Sequence, residues 1–293
     1  MDFYYVNNRG ERIDLSDYPY IFQEGDLLNW TYTYNTDNLA NRDVTYGYKM
    51  AAKSTSVKLA VLCDYTIPLE QRKQEWKAAV DHLCDVISAD VADDKNGKLY
   101  TDTGFYLSCK IIGSQKSDWR MGLPIMFNTL SVLSDKPVWI REETKEFFPQ
   151  SETSEPSAED DGLDYPYDYP YDYTAQKVGT ADWYIDHYDS SEFMMTIFGP
   201  CVNPRILIDG YPYEVFDTLE NNEYIVIDSR DNSVVKYLAN GTTQDLYDLR
   251  AKEQSIFEQI PSGNINLAWS GSFGFNITLF IERNEPKWKM KNS

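Results

Sequence analysis

From Phe273 to Ile281 every second residue is large and apolar: Phe273, Phe275, Ile277, Leu279 and Ile281. A period of two places all five on one face of an extended strand, and a face that long must be covered by a second apolar layer. The same alternation runs through Ile265, Leu267 and Trp269, just after Pro261-Ser-Gly263. Ser270-Gly-Ser-Phe-Gly-Phe275 lies between the two runs, inside a hairpin pattern where glycines mark a turn and a bulge.

Other segments of this half carry the same signature. Arg205-Ile-Leu-Ile208 and Tyr211 to Phe216 flank Asp209-Gly210, a preferred hairpin dipeptide. Tyr224-Ile-Val-Ile-Asp228 and Val234-Val-Lys-Tyr-Leu238 flank the turn-rich Ser229-Arg-Asp-Asn-Ser233. Short strands at this spacing predict an all-β sandwich or jelly roll.

The first half reads as β-rich with one helix. Leu27 to Tyr34 and Ser56 to Cys63 have strand composition, Phe105 to Ile112 is a strand ending at Gly113, and Leu123 to Leu133 is a further apolar segment. Between Pro68 and about Ala92, Trp76, Val80, Leu83, Ile87 and Val91 recur at spacings of four and three. That is one buried helical face, on a helix about 35 Å long. Thr66 to Pro68 starts it and Lys95-Asn-Gly97 breaks it.

The 293 residues suffice for two cores. The boundary is marked by charge. Glu142 to Asp189 holds fourteen acids against two lysines, and its middle, 149–162, is polar, acidic and poor in apolar residues. It reads as an exposed linker. Beyond it, Asp164-Tyr-Pro-Tyr167 and Asp168-Tyr-Pro-Tyr171 form a short repeat, stiffened by Pro166 and Pro170 into an extended aromatic strip.

Charge also excludes partners. With 47 acids, 27 bases and a net charge of −20, the chain repels nucleic-acid phosphates and anionic membranes. No apolar run approaches the roughly 18–20 residues of a membrane span. Met1-Asp2-Phe3-Tyr4-Tyr5 lacks the basic and apolar regions of a secretory signal, so the expectation is synthesis and folding in a cytosol. Cys63, Cys84, Cys109 and Cys201 have no metal or redox spacing and read as buried thiols.

Reactive constellations are few. His82 falls on or beside the apolar face of the helix and reads as a packing or capping residue. Asp186-His187 on a strand could orient a base for a serine nucleophile, yet no G-x-S-x-G elbow is present. Glu142-Glu143 and Asp160-Asp161 could serve as a glycosidase pair by identity, but they lie in or beside the linker and read as a solvated charge run. Asp164, Asp168 and Asp172, and the oxygen-rich Asp228 to Asn232, miss the EF-hand calcium pattern. No phosphate-binding loop is present. The positive signal is the aromatic excess of 23 Tyr, 13 Phe and 7 Trp, which suits core, contact surface and sugar stacking.

Several segments resemble one family. Gly104-Phe-Tyr-Leu-Ser-Cys-Lys-Ile-Ile-Gly-Ser114 follows the helix, and Leu163-Asp-Tyr-Pro-Tyr-Asp-Tyr-Pro-Tyr-Asp-Tyr173 lies at the domain junction. Ile260-Pro-Ser-Gly-Asn264, Trp269-Ser-Gly-Ser-Phe-Gly-Phe275 and Arg283-Asn-Glu-Pro-Lys-Trp288 close the chain, with Phe198-Gly-Pro-Cys-Val-Asn-Pro204 leading into the second domain and Tyr4 to Leu15 opening the first. In this order and spacing they resemble the distal tail proteins of long, non-contractile-tailed bacteriophages (siphophages), which are baseplate hub components.

The resemblance implies a mainly β fold. A belt domain over 1–148, a β-sandwich with one helix, would close into a hexameric ring. An acidic linker over 149–162 would lead to a galectin-like β-sandwich over 163–293. The ring would join the tail tube protein to the tail-associated hub or lysin protein and carry receptor-binding or adhesion proteins, at the distal tip of the virion tail. DNA would pass through the channel without stable binding, with no membrane insertion. The resemblance carries over no catalytic, cofactor or metal residues. Two alternatives stand beside it: a glycan-binding host-adhesion module, and a cell-wall hydrolase using carboxylates. A virus-derived bacteriocin is an equally open source.

Overall fold

The computed structural model describes residues 1–117, 125–150 and 179–289. The chain divides into two units, Met1–Arg141 with Glu282–Ser293, and Glu142–Ile281. Among the sequence expectations, most of the 149–162 linker, the tyrosine-proline repeat with its aspartates, and Asp160-Asp161 lie outside the described residues.

The strands of the first unit are β1 (Phe3–Val6), β2 (Arg12–Asp14), β3 (Tyr20–Gly25), β4 (Thr33–Leu39), β5 (Arg42–Lys49), β6 (Lys53–Leu62), β7 (Gly97–Thr101), β8 (Tyr106–Ser117), β9 (Ile125–Ser134) and the start of β10 (Trp139–Phe147). The helix α1 spans Leu69–Asp93. Two antiparallel arrays share β8. Its first residues pair with β7, which continues to β1 and β2, while Lys110–Ser117 pair with β9, which continues to β6 and β3. The predicted strand end at Gly113 is therefore corrected. The register shifts between Ile111 and Gly113, and this bulge lets one long strand change partners. The Leu27 to Tyr34 strand is also corrected. Regular pairing begins only at Thr33, after a turn in which the Asn29 N–H donates to the Asp26 carbonyl.

The helix has its predicted limits. Asp94 adopts a left-handed conformation (φ 50°), and the Lys95 N–H donates to the Asp90 carbonyl, closing the last turn. Its second half is buried through Leu83, Val86, Ile87, Ala89 and Asp90, and the predicted Trp76 and Val80 pack partly buried against the same core. Val91, expected inside, is 52% exposed, and Val86 takes its place. Leu83, Val86 and Ile87 pack with Leu59, Val61, Leu107, Met126 and Trp139 in the first core.

The second unit begins with residues 142–147 of β10. It continues with β11 (Gly179–Ile185), β12 (Glu192–Phe198), β13 (Cys201–Val202), β14 (Arg205–Ile208), β15 (Tyr211–Glu214), β16 (Thr218–Leu219), β17 (Tyr224–Asp228), β18 (Ser233–Tyr237), β19 (Thr243–Asp245), β20 (Gly263–Trp269) and β21 (Phe275–Arg283). One sheet runs β11-β20-β14-β15 and the other runs β19-β18-β17-β12-β21. Asp209 (φ 48°) and Gly210 (φ 81°) make the tight turn between β14 and β15, and such a pair of positive φ values belongs to a type I′ hairpin turn.

The expected hairpin of the last two strands is not formed. β20 pairs with β11 and β14, whereas β21 pairs with β12. Ser270 to Gly274 instead carries the chain across from one sheet to the other. Each run alternates because each covers one side of the same core. Ile265, Leu267 and Trp269 belong with Phe275, Ile277, Leu279 and Ile281 to one cluster. The unit is thus a mainly β sandwich, as the alternation requires.

Candidate functional site: an exposed hairpin and an open groove

Among the described residues, those singled out for chemistry do not converge. His187 lies in the loop after β11 and not on the strand. Its backbone N–H donates to the Ile185 carbonyl, and its ring centroid is 4.4 Å from that of Tyr188. Glu142 and Glu143 are successive residues of β10, so their side chains leave opposite faces of the strand. Asp228 accepts from Arg230 at 3.0 Å (Nε) and 2.6 Å (Nη2), and from the Arg230 N–H. Burial pushes its pKa up, but these bonds hold it below the usual carboxylate range. The group is used within its own turn. Lys236, buried in the second unit, reaches Asp217 (3.0 Å), Glu223 (3.1 Å) and the Thr218 carbonyl (2.7 Å). Among the described residues no three His, Cys, Asp or Glu side chains are grouped to hold a metal, and no helix is long and apolar enough to cross a membrane.

The surface of the first unit is more informative. β4 and β5 form a two-stranded hairpin closed by Ala40-Asn41, and all fifteen strand residues are exposed. Leu39, Val44 and Tyr46 share one face. Tyr34 (59% exposed) and Tyr48 (64% exposed) meet on the other, with ring centroids 6.2 Å apart. At the root, the Lys53 ammonium donates to the Asn29 carbonyl (2.7 Å) and the Tyr32 hydroxyl to Asn284 (2.9 Å). A lone two-stranded ribbon is marginal in water, and the exposed Tyr34, Leu39, Val44, Tyr46 and Tyr48 make this one a candidate contact surface.

The same unit holds an open groove of about 1190 Å³. One wall is the first half of α1, where Glu75, Ala78, Ala79 and His82 face it. Across from them are Ile13 with its β2 neighbours and Tyr18 to Tyr20, and Leu62, Cys63 and Ile125 complete the lining. Two adjacent alanines leave room that larger side chains would fill. The Tyr20 hydroxyl donates to the Ala79 carbonyl (2.7 Å), and burial pushes its pKa up to about 12. Asp64 accepts from the hydroxyl (2.6 Å) and N–H (2.8 Å) of Thr66, which holds its carboxyl below the usual range and keeps it charged at the rim. His82, expected to pack or cap, is exposed on this wall.

In the second unit a smaller pocket of about 220 Å³ lies among Phe147, Phe148, Phe198, Phe273 and Asn276.

Solved structures match this architecture end to end. The Dit protein of phage SPP1, described as a paradigm of hub adsorption apparatus in phages infecting Gram-positive bacteria, aligns over 96% of this chain and 99% of its own, with TM-score 0.53 and 15% identity. A chain of the phage P2 baseplate, in its activated conformation with Ca, aligns over 97% and 99% with TM-score 0.58 and 14% identity. The corresponding p2 structure with Sr gives 97% and 99%, TM-score 0.57 and 15% identity. The chain has the fold of these phage baseplate proteins. No protein-family model and no curated protein matches it.

The exposed hairpin was the feature that sequence reading missed. Asn35-Thr-Asp-Asn38 breaks the apolar alternation on one arm, so the ribbon looks like a loop. The available signal was the near-symmetry of Tyr32 and Tyr34 with Tyr46 and Tyr48 about Ala40-Asn41.

Proposed function

We propose that this protein is a structural component of a phage tail tip, a distal tail protein that assembles into a hexameric baseplate ring. The observation that carries the reading is the match to baseplate proteins over nearly the whole of both chains, two units included. The first unit serves as the ring-forming belt and the second as a galectin-like sandwich outside it, with the acidic 149–162 segment as the linker of the chain. A ring made from one kind of chain needs two different surfaces that meet head to tail and close. The exposed hairpin and the open groove are two such surfaces on one unit. The ring joins the tail tube to the tail-tip hub and anchors host-adhesion proteins. It works through its surfaces and not as an enzyme, and the net charge of −20 suits a passage for DNA that must not stick.

Two measurements test this. Native mass spectrometry or negative-stain imaging of the purified chain is expected to show closed six-membered rings. Gold-labelled antibody on intact particles is expected at the distal tail tip; labelling of the capsid or the tail shaft would defeat the reading.

A second reading, glycan binding in host adhesion, is favoured by the aromatic pocket around Phe148 and Phe198. Saturable binding of host cell-wall polysaccharide that is lost in Phe198→Ala would support it.

A further inference from the structure

The reading of a self-closing ring leaves open which surface meets which, and the following inference rests on that reading. We infer that the β4–β5 hairpin of one copy lies in the α1–β2 groove of the next copy.

Three observations converge. The first is placement. Lys53 starts β6 and holds Asn29 at the hairpin root, whereas Leu62 ends β6 and Cys63 follows it in the groove. At about 3.3 Å per residue the two surfaces sit roughly 30 Å apart, at opposite ends of one strand. The hairpin itself extends only about 24 Å. Donor and acceptor at opposite ends of a rigid element is the arrangement that head-to-tail association uses.

The second observation is size. A groove of about 1190 Å³ exceeds the usual 300–1,000 Å³ of small-molecule sites. It suits an inserted chain segment carrying several aromatic side chains, which Tyr34, Tyr46 and Tyr48 supply.

The third is charge. Copies of a chain with net charge −20 repel each other, so at least one side of the contact must be free of that charge. Residues 30–50 carry two acids (Asp37, Asp43) and two bases (Arg42, Lys49), a balance of zero. The groove is lined by Asp14, Asp64 and Glu75 against Arg12, a balance of −2 with His82 neutral. Arg12 is already engaged by Asp14 through its Nε at 3.0 Å. A neutral hairpin adds no net repulsion against this acidic lining, which a segment of the chain's average charge would.

The test uses two full-length variants. In the first, 34–48 is replaced by Gly-Ser-Gly, joining Thr33 to Lys49, which are already cross-strand partners. In the second, Ala78→Trp fills the groove from an exposed helix position. Each alone is expected to remain monomeric by native mass spectrometry, with a circular dichroism spectrum like the parent's. Mixed, they retain one intact hairpin and one intact groove between them, so a heterodimer and nothing larger is expected. Rings formed by either variant alone would overturn the inference while leaving the ring reading intact; absence of the parent chain from the tail tip would remove that reading itself. As a check independent of folding in the variants, Tyr46→Cys with His82→Cys in assembled particles should give a ladder of cross-linked copies with a short bis-maleimide, and a lack of any ladder beyond the parent's would also overturn the contact.

Discussion

The Tyr5 hydroxyl donates its hydrogen bond to the carboxylate of Asp90, a residue with no solvent exposure at all. The second Asp90 oxygen accepts from the Asn8 N–H at 2.6 Å. Strand β1 and the end of α1, far apart in sequence, are thereby fastened through one buried acidic side chain. Burial pushes the Tyr5 hydroxyl pKa well above its ordinary value, so it remains a donor at any physiological pH. Tyr5→Phe removes one of the two donors and is expected to destabilise the first unit by about 1–3 kcal/mol in urea unfolding. Gly97→Ala should do comparable damage, because a Cβ there would press on both Asp90 and the Tyr5 ring.

Lys236 plays the corresponding part in the second unit, with the charges reversed. Desolvation works against its ammonium, but hydrogen bonds to Asp217 and Glu223 prevail and raise its pKa. Lys236→Met leaves two carboxylates facing each other without their cation, and a loss of about 2–4 kcal/mol is expected by thermal or denaturant unfolding.

Acid should loosen the same cluster. The Glu220 N–H and then the Lys236 ammonium hold the Glu223 pKa below its ordinary 4.5. A depressed carboxylate stabilises the fold above its unfolded pKa, and that contribution is lost as pH falls through the folded value. The melting temperature is therefore expected to be level from neutral pH to about 4.5 and to decline below it. Glu223→Gln should flatten that decline.

Ile277→Ala, within the sandwich core, is expected to cost about 2–5 kcal/mol. Tyr34→Ser and Tyr48→Ser, on the exposed hairpin, should leave monomer stability within about 0.5 kcal/mol. A large loss in the hairpin variants would show that the ribbon is part of the monomer's core.

Electrophoretic mobility shift at near-physiological salt should show no retained duplex DNA, since few cations are available to release counterions.

The parts of the fold that alternate or repeat locally could be read from sequence. The period-two runs at 265–269 and 273–281 and the 3.6-residue rhythm of α1 are each dictated by one buried face. Pairing was less accessible. Nothing in Trp269 or Phe275 alone tells whether Ser270 to Gly274 reverses the chain or carries it to the opposite sheet, because both leave the same alternation. Val91 fits the helical rhythm yet is exposed, because whether a face is covered depends on what lies against it. The groove arises from the spacing between α1 and β2, more than fifty residues apart in sequence, and the hairpin is polar along one arm because none of its strand residues is buried in the chain's own core. Both depend on tertiary placement that a local pattern does not encode.

The first unit draws on two segments of the chain, one on either side of the second unit. Glu282 pairs with Lys136 (2.5 Å), and Asn284 takes the Tyr32 hydroxyl at the hairpin root. Synthesis proceeds from the N-terminus, so the arm emerges long before its anchor does. A chain cut after Ile281 would lose that anchor, so the first unit is expected to be complete only when segments on both sides of the second are present.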